Sequence, residues 1–380
     1  MIITRKIQIY IPENDKKLRK EYYETLYNNR YIAVKIANMT VSHLFALDNS
    51  MPYLSKEDKD SITFLGVKGD KATRRNAPYV VASEAFKGQI DMGVCSTIQN
   101  TVQKNYQEDK KAGMWKRSLR SYKANMPVPY QANRFRDIRV ADYETKDGKK
   151  RSGVFFTLTG IPLQMCFGRD RSGNRIIVER IISGEYKMVT SSIQIDDDKG
   201  KIFLLLCVDI PQKEVTLKPD KKLYAFLGVF DPIVCTTEIT DSLDAKGDSA
   251  YRVWEIGTEE EFNYRRRQIQ ESVKRCQVNN RYNVGGKGRK KKNKAIDRFA
   301  DKEKNYVDTK LHTYSRMLVD MAIKHECSEI VLKKQKERAD EAKDNNKDGD
   351  NFVLRNWGYY GLTEKIKYKA KMYGIEITVE

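Results

Sequence analysis

Hydrophobic and polar positions change their period along the chain, and the first stretches read as one strand followed by helices. Residues 2–11, IITRKIQIYI, alternate and are rich in Ile, which predicts a strand. Apolar positions then recur at mostly helical spacing over 16–47 and again over 79–106. The Asn14-Asp15 pair can cap the first of these helices.

Short β-rich runs follow between residues 153 and 211. They are GVFFTLTGI, NRIIVERII, YKMVTSSIQI and KIFLLLCVDI, and the segments between them, GRDRSGN, SGE and DDDKGK, are turn-forming. Four such runs predict the strands of a small barrel, which the strand at 2–11 could join.

The pattern changes again after residue 218. Strands are predicted at 223–229, 233–239, 251–257, 329–332 and 375–379, with helical pattern before the fourth strand and a helix at 353–373 before the fifth. Three strands followed by helix, strand, helix and strand is the order of an RNase H-like domain. The chain therefore has the pattern of a multidomain α+β protein.

Charge points to the class of partner. The 380 residues include 71 Lys or Arg and 52 Asp or Glu, a net charge of +19, and 40% are hydrophobic, which is typical of a globular protein. Such an excess indicates a polyanion, most commonly nucleic acid, with an anionic membrane surface as the alternative. No apolar run approaches the roughly 18 residues of a spanning helix, and the start lacks a signal-peptide pattern, so we expect a cytoplasmic protein.

Cysteine and histidine do not predict a metal site. The six cysteines, at 95, 166, 207, 235, 276 and 327, form no CxxC pair, which argues against a zinc ribbon and against a disulfide framework. The three histidines are scattered. We therefore expect buried, reduced thiols.

Two basic stretches are candidate nucleic-acid contacts. Between 116 and 139 cations alternate with aromatic rings, the combination needed to hold phosphates and to stack on bases, although a solvated loop has the same composition. The candidates here are Lys116, Arg117, Arg120, Lys123, Arg134 and Arg136.

The second basic stretch, 264–304, contains 15 Lys or Arg and 4 Asp or Glu. Two helices, at about 260–278 and 293–323, are predicted to flank the loop NVGGKGRKKKNK. This density repels itself unless a polyanion lies across it, although a solvated face or a localisation signal remains possible. The candidates are Arg265, Arg266, Arg267, Arg289, Lys290, Lys291 and Lys292.

Four motifs make the chain similar to a known family. They are WKRSLRSYKANMP at 115–127, LLLCVDIP at 204–211, GGKGRKKKNKAIDRFADKEKN at 285–305 and LRNWGYYGLTEKIKYKAKMYGIEI at 354–377. Over nearly its whole length the chain resembles the miniature type V-F CRISPR effectors and their TnpB transposon relatives.

The resemblance implies an architecture. It places a β-barrel wedge domain at 1–15 and 116–217, a helical recognition domain inserted at 16–115, and a RuvC-like, RNase H-fold domain at 218–380 with a basic helical hairpin at 260–323. It also implies a guide RNA, target double-stranded DNA and a homodimer on one guide RNA.

The family's nuclease carboxylates are missing at the matching positions. The first falls on Phe226 and the second on Lys333, while the third lies beyond a zinc ribbon that this sequence does not reach before Glu380. Asp231 and Glu337 could replace them only if a strand slipped register. We therefore expect no nuclease activity, no catalytic magnesium and no zinc.

The preferred interpretation is an RNA-guided DNA-binding protein that does not cut and that acts in transcriptional control. It would either block a promoter or recruit a sigma factor or RNA polymerase. The alternatives are a nuclease whose metal site is displaced or completed by a second chain, and a protein that binds only guide RNA. Arg355 and Asn356, at the head of the last predicted helix, are further candidate phosphate contacts, whereas Trp357 beside them fits a core.

Overall fold

The computed structural model describes residues 1–55, 77–114, 118–144, 148–168, 173–228, 232–238, 252–281, 288–334 and 358–380. The chain divides into two compact units, Met1–Ile210 and Pro211–Glu380. Among the described residues, no helix is both long enough and apolar enough to cross a membrane.

The first unit joins an antiparallel sheet to a group of helices. Its helices are α1 (Lys16–Ser50), α2 (Ala77–Phe86), α3 (Met92–Lys111) and α4 (Asn174–Ile182). Its strands are β1 (Ile2–Tyr10), β2 (Val128–Tyr130), β3 (Phe135–Glu144), β4 (Lys150–Leu158), β5 (Ile161–Cys166), β6 (Lys187–Met188), β7 (Ser191–Asp196) and β8 (Lys201–Asp209). The sheet order is β2-β7-β8-β1-β5-β4-β3, with β6 paired to β8.

The predicted N-terminal strand and the cap of the first helix are confirmed, whereas the helical stretch predicted over 79–106 is two helices, α2 and α3, separated at residues 87–91. The strand at residues 2–11 is β1, and it lies in the middle of the sheet between β8 and β5. The predicted cap is also present, since the Asp15 side chain accepts a hydrogen bond of 2.8 Å from the backbone N–H of Lys17 at the start of α1. This bond satisfies one of the donors that a helix leaves open at its N-terminus.

The strand predicted for NRIIVERII is wrong, because these residues form helix α4. Ile177 and Val178 are buried and Ile181 packs against the same core, a spacing that gives a helix one apolar side. Arg175 and Glu179, one helical turn apart, form an ion pair of 2.9 Å. The β-branched composition suggested a strand, but packing on one face determines the structure.

Two further differences concern the sheet. The run GVFFTLTGI belongs to two strands, since Thr159 and Gly160 have positive φ values of 48° and 88° and make the turn between β4 and β5. Strand β3 was not predicted. It is a long strand at the end of the sheet order, and its exposed residues, including Arg136 and Arg139, give it no apolar alternation.

The second unit has the predicted RNase H-like strand order. Its strands are β9 (Lys218–Leu227), β10 (Ile233–Thr236), β11 (Trp254–Ile256), β12 (Cys327–Lys334) and β13 (Glu376–Val379), arranged β11-β10-β9-β12-β13. The first three pair antiparallel, and β12 is parallel to both β9 and β13. Its helices are α5 (Glu259–Arg281), α6 (Gly288–Lys324) and α7 (Tyr359–Lys371).

One face of this five-stranded sheet packs on the helices. Leu223, Ala225 and Leu227 of β9 share a core with Leu318 of α6 and Ile366 of α7. Because successive side chains of a strand point to opposite faces, the residues between them, Tyr224 and Phe226, lie on the other face. This second face carries Phe226 and its register partner Lys333, which are described below.

Candidate nucleic-acid interface

Helices α5 and α6 form the predicted basic hairpin, and aromatic packing holds its base together. The rings of Phe262 and Tyr306 stack with centroids 6.3 Å apart, and the Tyr306 hydroxyl donates a 2.9 Å hydrogen bond to the carbonyl oxygen of Glu261. Tyr314 packs its ring 6.3 Å from that of Phe262. Phe262 and Tyr314 belong to the core of the second unit, so the base of the hairpin is anchored in that core.

A groove of about 290 Å³ runs along the hairpin and has a mostly polar and cationic lining. It is lined by Arg265, Gln268, Ile269, Glu271, Ser272, Arg275, Phe299 and Lys302. The guanidinium of Arg265 donates to the amide oxygen of Gln268 at 2.7 Å, and Arg275 lies 3.5 Å from Glu271. Cations, a hydroxyl, an amide and one aromatic ring are the groups that bind a nucleic-acid backbone and its bases.

Sequence reasoning missed Arg275 and Lys302 as members of this groove. The signal was present, since Arg265, Gln268, Ser272 and Arg275 follow one another by three or four residues and so share one face of α5. The number of charges per segment does not show this pattern, whereas the helical spacing of the residues does.

Arg266 does not belong with the other proposed phosphate contacts. Its side chain has 0% exposure, it donates to the side-chain oxygen of Asn263 at 3.0 Å, and its guanidinium lies 5.1 Å from the centroid of the Phe262 ring. Glu303 on α6 lies 3.5 Å from its Nε atom. Burial lowers the pKa of the guanidinium, and Glu303 opposes that shift. The sequence grouped Arg266 with Arg265 and Arg267, which are exposed, but its helix position faces the hairpin core.

The remaining hairpin candidates lie where α6 begins. The predicted loop extended to residue 294, whereas the helix starts at Gly288 and so includes the backbone of Arg289, Lys290, Lys291 and Lys292. Their side chains lie outside the described part of the structure, as do Arg355, Asn356 and Trp357.

In the first unit, two of the predicted cations are held by carboxylates at the two ends of α3. Arg120 makes two hydrogen bonds to Asp109, of 2.8 and 2.6 Å, and this guanidinium lowers the pKa of the Asp109 carboxyl. Arg134 donates at 2.7 Å to Asp91, the residue that caps the N-terminus of α3. Both arginines therefore fix the helix to its surroundings.

The other four candidate cations of the stretch between residues 116 and 139 are two exposed residues and two that the structure does not describe. Lys123 and Arg136 are exposed on the surface of the unit. Lys116 and Arg117 lie outside the described residues. Of the cations described in this stretch, Arg120 and Arg134 are paired with carboxylates, whereas Lys123 and Arg136 are on the surface.

Phe226 and Lys333 are brought together by strand register. They are Cα partners on the neighbouring parallel strands β9 and β12. Phe226 is 2% exposed and packs with Val234, its partner on β10. The ammonium of Lys333 lies 6.0 Å from the centroid of the Phe226 ring and 3.7 Å from a carboxylate oxygen of Glu380.

These two positions do not fit a magnesium ion. Hard divalent cations require oxygen ligands, and a benzyl ring beside an ammonium supplies none and adds a positive charge. In the described residues no group of three or more His, Cys, Asp or Glu side chains is placed to hold a metal.

The fold and this interface together define a multidomain α+β protein with an RNase H-like second unit and a cationic helical hairpin. No protein-family model matches the sequence. The chain is 34% identical over 210 residues to the CRISPR-associated endodeoxyribonuclease Cas12f1 of Sulfoacidibacillus thermotolerans, a match that covers 54% of this chain and 45% of the relative. It is 31% identical over 218 residues to Cas12f1 of Syntrophomonas palmitatica, covering 54% of this chain and 40% of the relative.

The whole fold has a counterpart among solved structures. A cryo-EM structure of a Cas12f1–sgRNA–target DNA complex matches with a TM-score of 0.62 and 16% identity, and the match covers 100% of this chain and 89% of that one. The chain spans less than half the length of the curated relatives it matches. The resemblance to miniature type V-F effectors is therefore confirmed, in sequence over about half of the chain and in fold over all of it.

Proposed function

We propose that the chain is an RNA-guided, sequence-specific DNA-binding protein that does not cut its target and that controls transcription where it binds. The observation that carries this proposal is the register pair of Phe226 and Lys333 on neighbouring strands of an RNase H-like sheet. In the family resemblance, these are the two positions at which we expect related nucleases to have carboxylates.

The absence of cutting follows from the chemistry of that pair. Phosphodiester hydrolysis by this fold needs carboxylates that hold two cations about 4 Å apart. An ammonium at one of these positions repels a divalent cation, and a buried phenyl ring at the other leaves no room for one. Lys333 also has Glu380 beside it, so that carboxylate already faces a positive charge.

The partners follow from the charge and from the relatives. The α5–α6 groove presents Arg265, Arg275 and Lys302 to a polyanion. The similar solved structure is a complex with sgRNA and target DNA, so guide RNA and double-stranded DNA are the proposed partners here. A protein that occupies DNA without cutting acts by blocking a promoter or by recruiting a sigma factor or RNA polymerase, and two protomers would share one guide RNA.

The deciding experiment purifies the protein from cells that express its own genomic neighbourhood. The RNA that accompanies it is sequenced, and the complex is mixed with matching duplex DNA and Mg²⁺. We expect a discrete guide-like RNA and intact DNA that stays bound. Cleaved DNA would support a displaced or shared metal site, whereas RNA without DNA retention would leave an RNA-binding protein only. Co-purifying proteins would distinguish recruitment from blocking.

A second experiment restores acids at the register pair. In the variant Phe226→Asp/Lys333→Glu, two carboxylates would become Cα partners and repel each other unless a cation lies between them. We expect Mn²⁺ or Mg²⁺ to raise the melting temperature of this variant by more than it raises that of the wild type, although the loss of the buried Phe226 ring lowers the melting temperature of the metal-free variant. The matched control is Phe226→Asn/Lys333→Gln, which has similar size and no charge. An equal response of both variants to the metal would show that these positions do not lie together as a cation site.

A further inference from the structure

The eight-stranded sheet of the first unit has one apolar face in the core, whereas its other face carries aromatic, amide and cationic side chains. Ile7 and Ile9 of β1 and Leu204 and Leu206 of β8 point inward and are at most 2% exposed. Their neighbours in sequence point the other way, because side chains alternate along a strand. These outward residues are half-buried or exposed, so the outer face of the sheet is accessible in part.

Register places the outward residues in rows across the strands. One row crosses β7, β8, β1 and β5 and consists of Gln194, Phe203, Gln8 and Cys166. The next crosses β1, β5, β4 and β3 and consists of Tyr10, Gln164, Phe155 and Arg139, of which Gln164 is buried, with 3% exposure. Each row therefore combines an aromatic ring with one or more side-chain amides.

Contacts confirm that these side chains share a surface. The ammonium of Lys6 lies 4.3 Å from the centroid of the Phe203 ring and donates to Gln194 at 2.9 Å. In the neighbouring row the Tyr10 hydroxyl donates to the amide oxygen of Gln164.

The second row carries a further ring. Tyr143 meets Phe155 edge to face with ring centroids 5.9 Å apart. Arg139, the partner of Phe155 on β3, is exposed beside it. Rings, amides and cations thus alternate over one face.

We infer that this outer sheet face is a platform for a stretch of single-stranded RNA. Phe203 and Tyr10 lie on adjacent strands and are diagonal neighbours, which places them about 7–8 Å apart, so that they can stack on neighbouring bases. Lys6 and Arg139 flank the rings and would pair with phosphates. This inference rests on the proposed function only in taking RNA to be a natural partner of the chain.

The surface favours unpaired RNA over a duplex. Bases in a duplex already stack on each other, whereas a sheet that displays rings binds bases that are free to turn out. The amides of Gln8 and Gln194 can donate to and accept from a ribose 2′-hydroxyl, which DNA lacks. Lys6 can leave the Phe203 ring at small cost, because an exposed cation–π contact contributes only about 0.5–1 kcal/mol.

The test uses the full chain without guide or target DNA. Its ligand is an unstructured RNA of about 12 nucleotides, the length expected for such a site, that carries 2-aminopurine. We expect Phe203→Leu and Tyr10→Leu to weaken binding about tenfold each and to change the 2-aminopurine fluorescence of the complex, because stacking is lost while apolar volume is kept. Tyr10→Phe, which keeps its ring, should bind nearly as well as the wild type.

The control is Tyr360→Leu, an aromatic residue of the second unit that is 79% exposed. It should leave both affinity and fluorescence unchanged. Unchanged affinity in Phe203→Leu and Tyr10→Leu, or equal binding of DNA of the same sequence, would overturn the platform. The guided DNA-retention assay reads the proposed function separately, since it can succeed or fail whatever this short RNA does.

Discussion

Two basic segments that look alike in sequence differ in what their cations contact. In the hairpin, Arg265 and Arg275 line an open groove and lie within 3.5 Å of side chains on their own helix. In the segment that follows α3, Arg120 and Arg134 reach carboxylates that lie 11 and 43 positions earlier in the chain. The first group is available to a ligand, whereas the second holds the first unit together.

This difference shows that charge density alone does not locate a binding surface. A cation contributes more to binding a polyanion when its carboxylate partner is exposed on the same helix, as Glu271 is for Arg275, than when the pair joins distant segments of the chain. The hairpin contains both kinds within three consecutive residues, since Arg266 is buried between two exposed arginines. Substitutions of single cations therefore separate structural from ligand-binding roles.

The largest effect is expected at Arg266. Replacing it by Ala removes a buried guanidinium from between Phe262 and Glu303 and leaves Glu303 partly buried without its cation. Breaking such a pair costs about 3 kcal/mol. Urea denaturation of Arg266→Ala should therefore show a free energy of unfolding lower by about this amount.

The matched control for that prediction is the adjacent Arg267, which is exposed. Arg267→Ala should change the free energy of unfolding by less than about 0.5 kcal/mol. If the two variants were equally stable, Arg266 would not be a core residue and would return to the set of ligand-binding candidates.

A second buried cation, Lys369 of α7, lies outside both basic segments. It is 8% exposed and donates to the backbone carbonyl of His312 and, at 2.8 Å, to the hydroxyl of Ser315. Burial lowers its pKa to about 8, with Arg316 and Lys365 acting in the same direction while Asp320 and Asp308 oppose them. No charge count would distinguish this lysine from its exposed neighbours.

Stability should rise with pH where Lys369 titrates. Between about pH 8 and pH 10.4 the unfolded chain still holds the proton that the folded chain has released, so higher pH favours the folded state. The expected gain between pH 7.5 and 9.5 is of the order of 1–2 kcal/mol. Lys369→Met should abolish this gain, as measured by denaturation at a series of pH values, and an identical pH profile in both proteins would contradict it.

The sequence was sufficient for much of the fold. Alternation identified β1, and long apolar runs identified β8 and β9, because strands in the middle of a sheet have strong and simple patterns. The RNase H-like character of the second unit followed from the predicted order of its elements, whereas the parallel pairing of β12 with β9 and β13 is seen only in the structure. The family resemblance assigned Phe226 and Lys333 to two carboxylate positions of one site without any knowledge of strand register. That the two residues are Cα partners on neighbouring strands is seen only in the structure.

What the sequence did not give depends on contacts between distant residues. The helix at 174–182 was mistaken for a strand because its apolar face is set by the core it meets. The roles of Arg120 and Arg134 depend on Asp109 and Asp91, and no local pattern connects these residues. The aromatic and amide rows on the outer face of the sheet could not be predicted either, because strand register brings their residues together.

The groove provides a direct test of ligand binding by exposed cations. Arg265→Ala and Arg275→Ala should each weaken binding of the guide RNA by roughly threefold to tenfold and reduce the slope of log affinity against log salt by about 0.7–0.9. Lys20→Ala, an exposed cation of α1, serves as the control and should leave the slope unchanged. A salt slope that stays the same in both groove variants would exclude the groove as a phosphate contact.

The smallest expected effect concerns Arg120, the cation that most resembles a binding residue in sequence. Because it is part of a surface ion pair, Arg120→Ala should lower the free energy of unfolding by only about 0.5 kcal/mol at pH 7.

The lowered pKa of Asp109 means that the pair contributes stability above the ordinary aspartate pKa and that this stability is lost as pH falls. The difference between wild type and Arg120→Ala should therefore be smaller near pH 3 than at pH 7, as denaturation at the two pH values would measure. A salt slope for guide RNA equal to that of the wild type would place Arg120 with the structural cations, whereas a slope reduced as much as in Arg275→Ala would show that its carboxylate partner yields to the ligand.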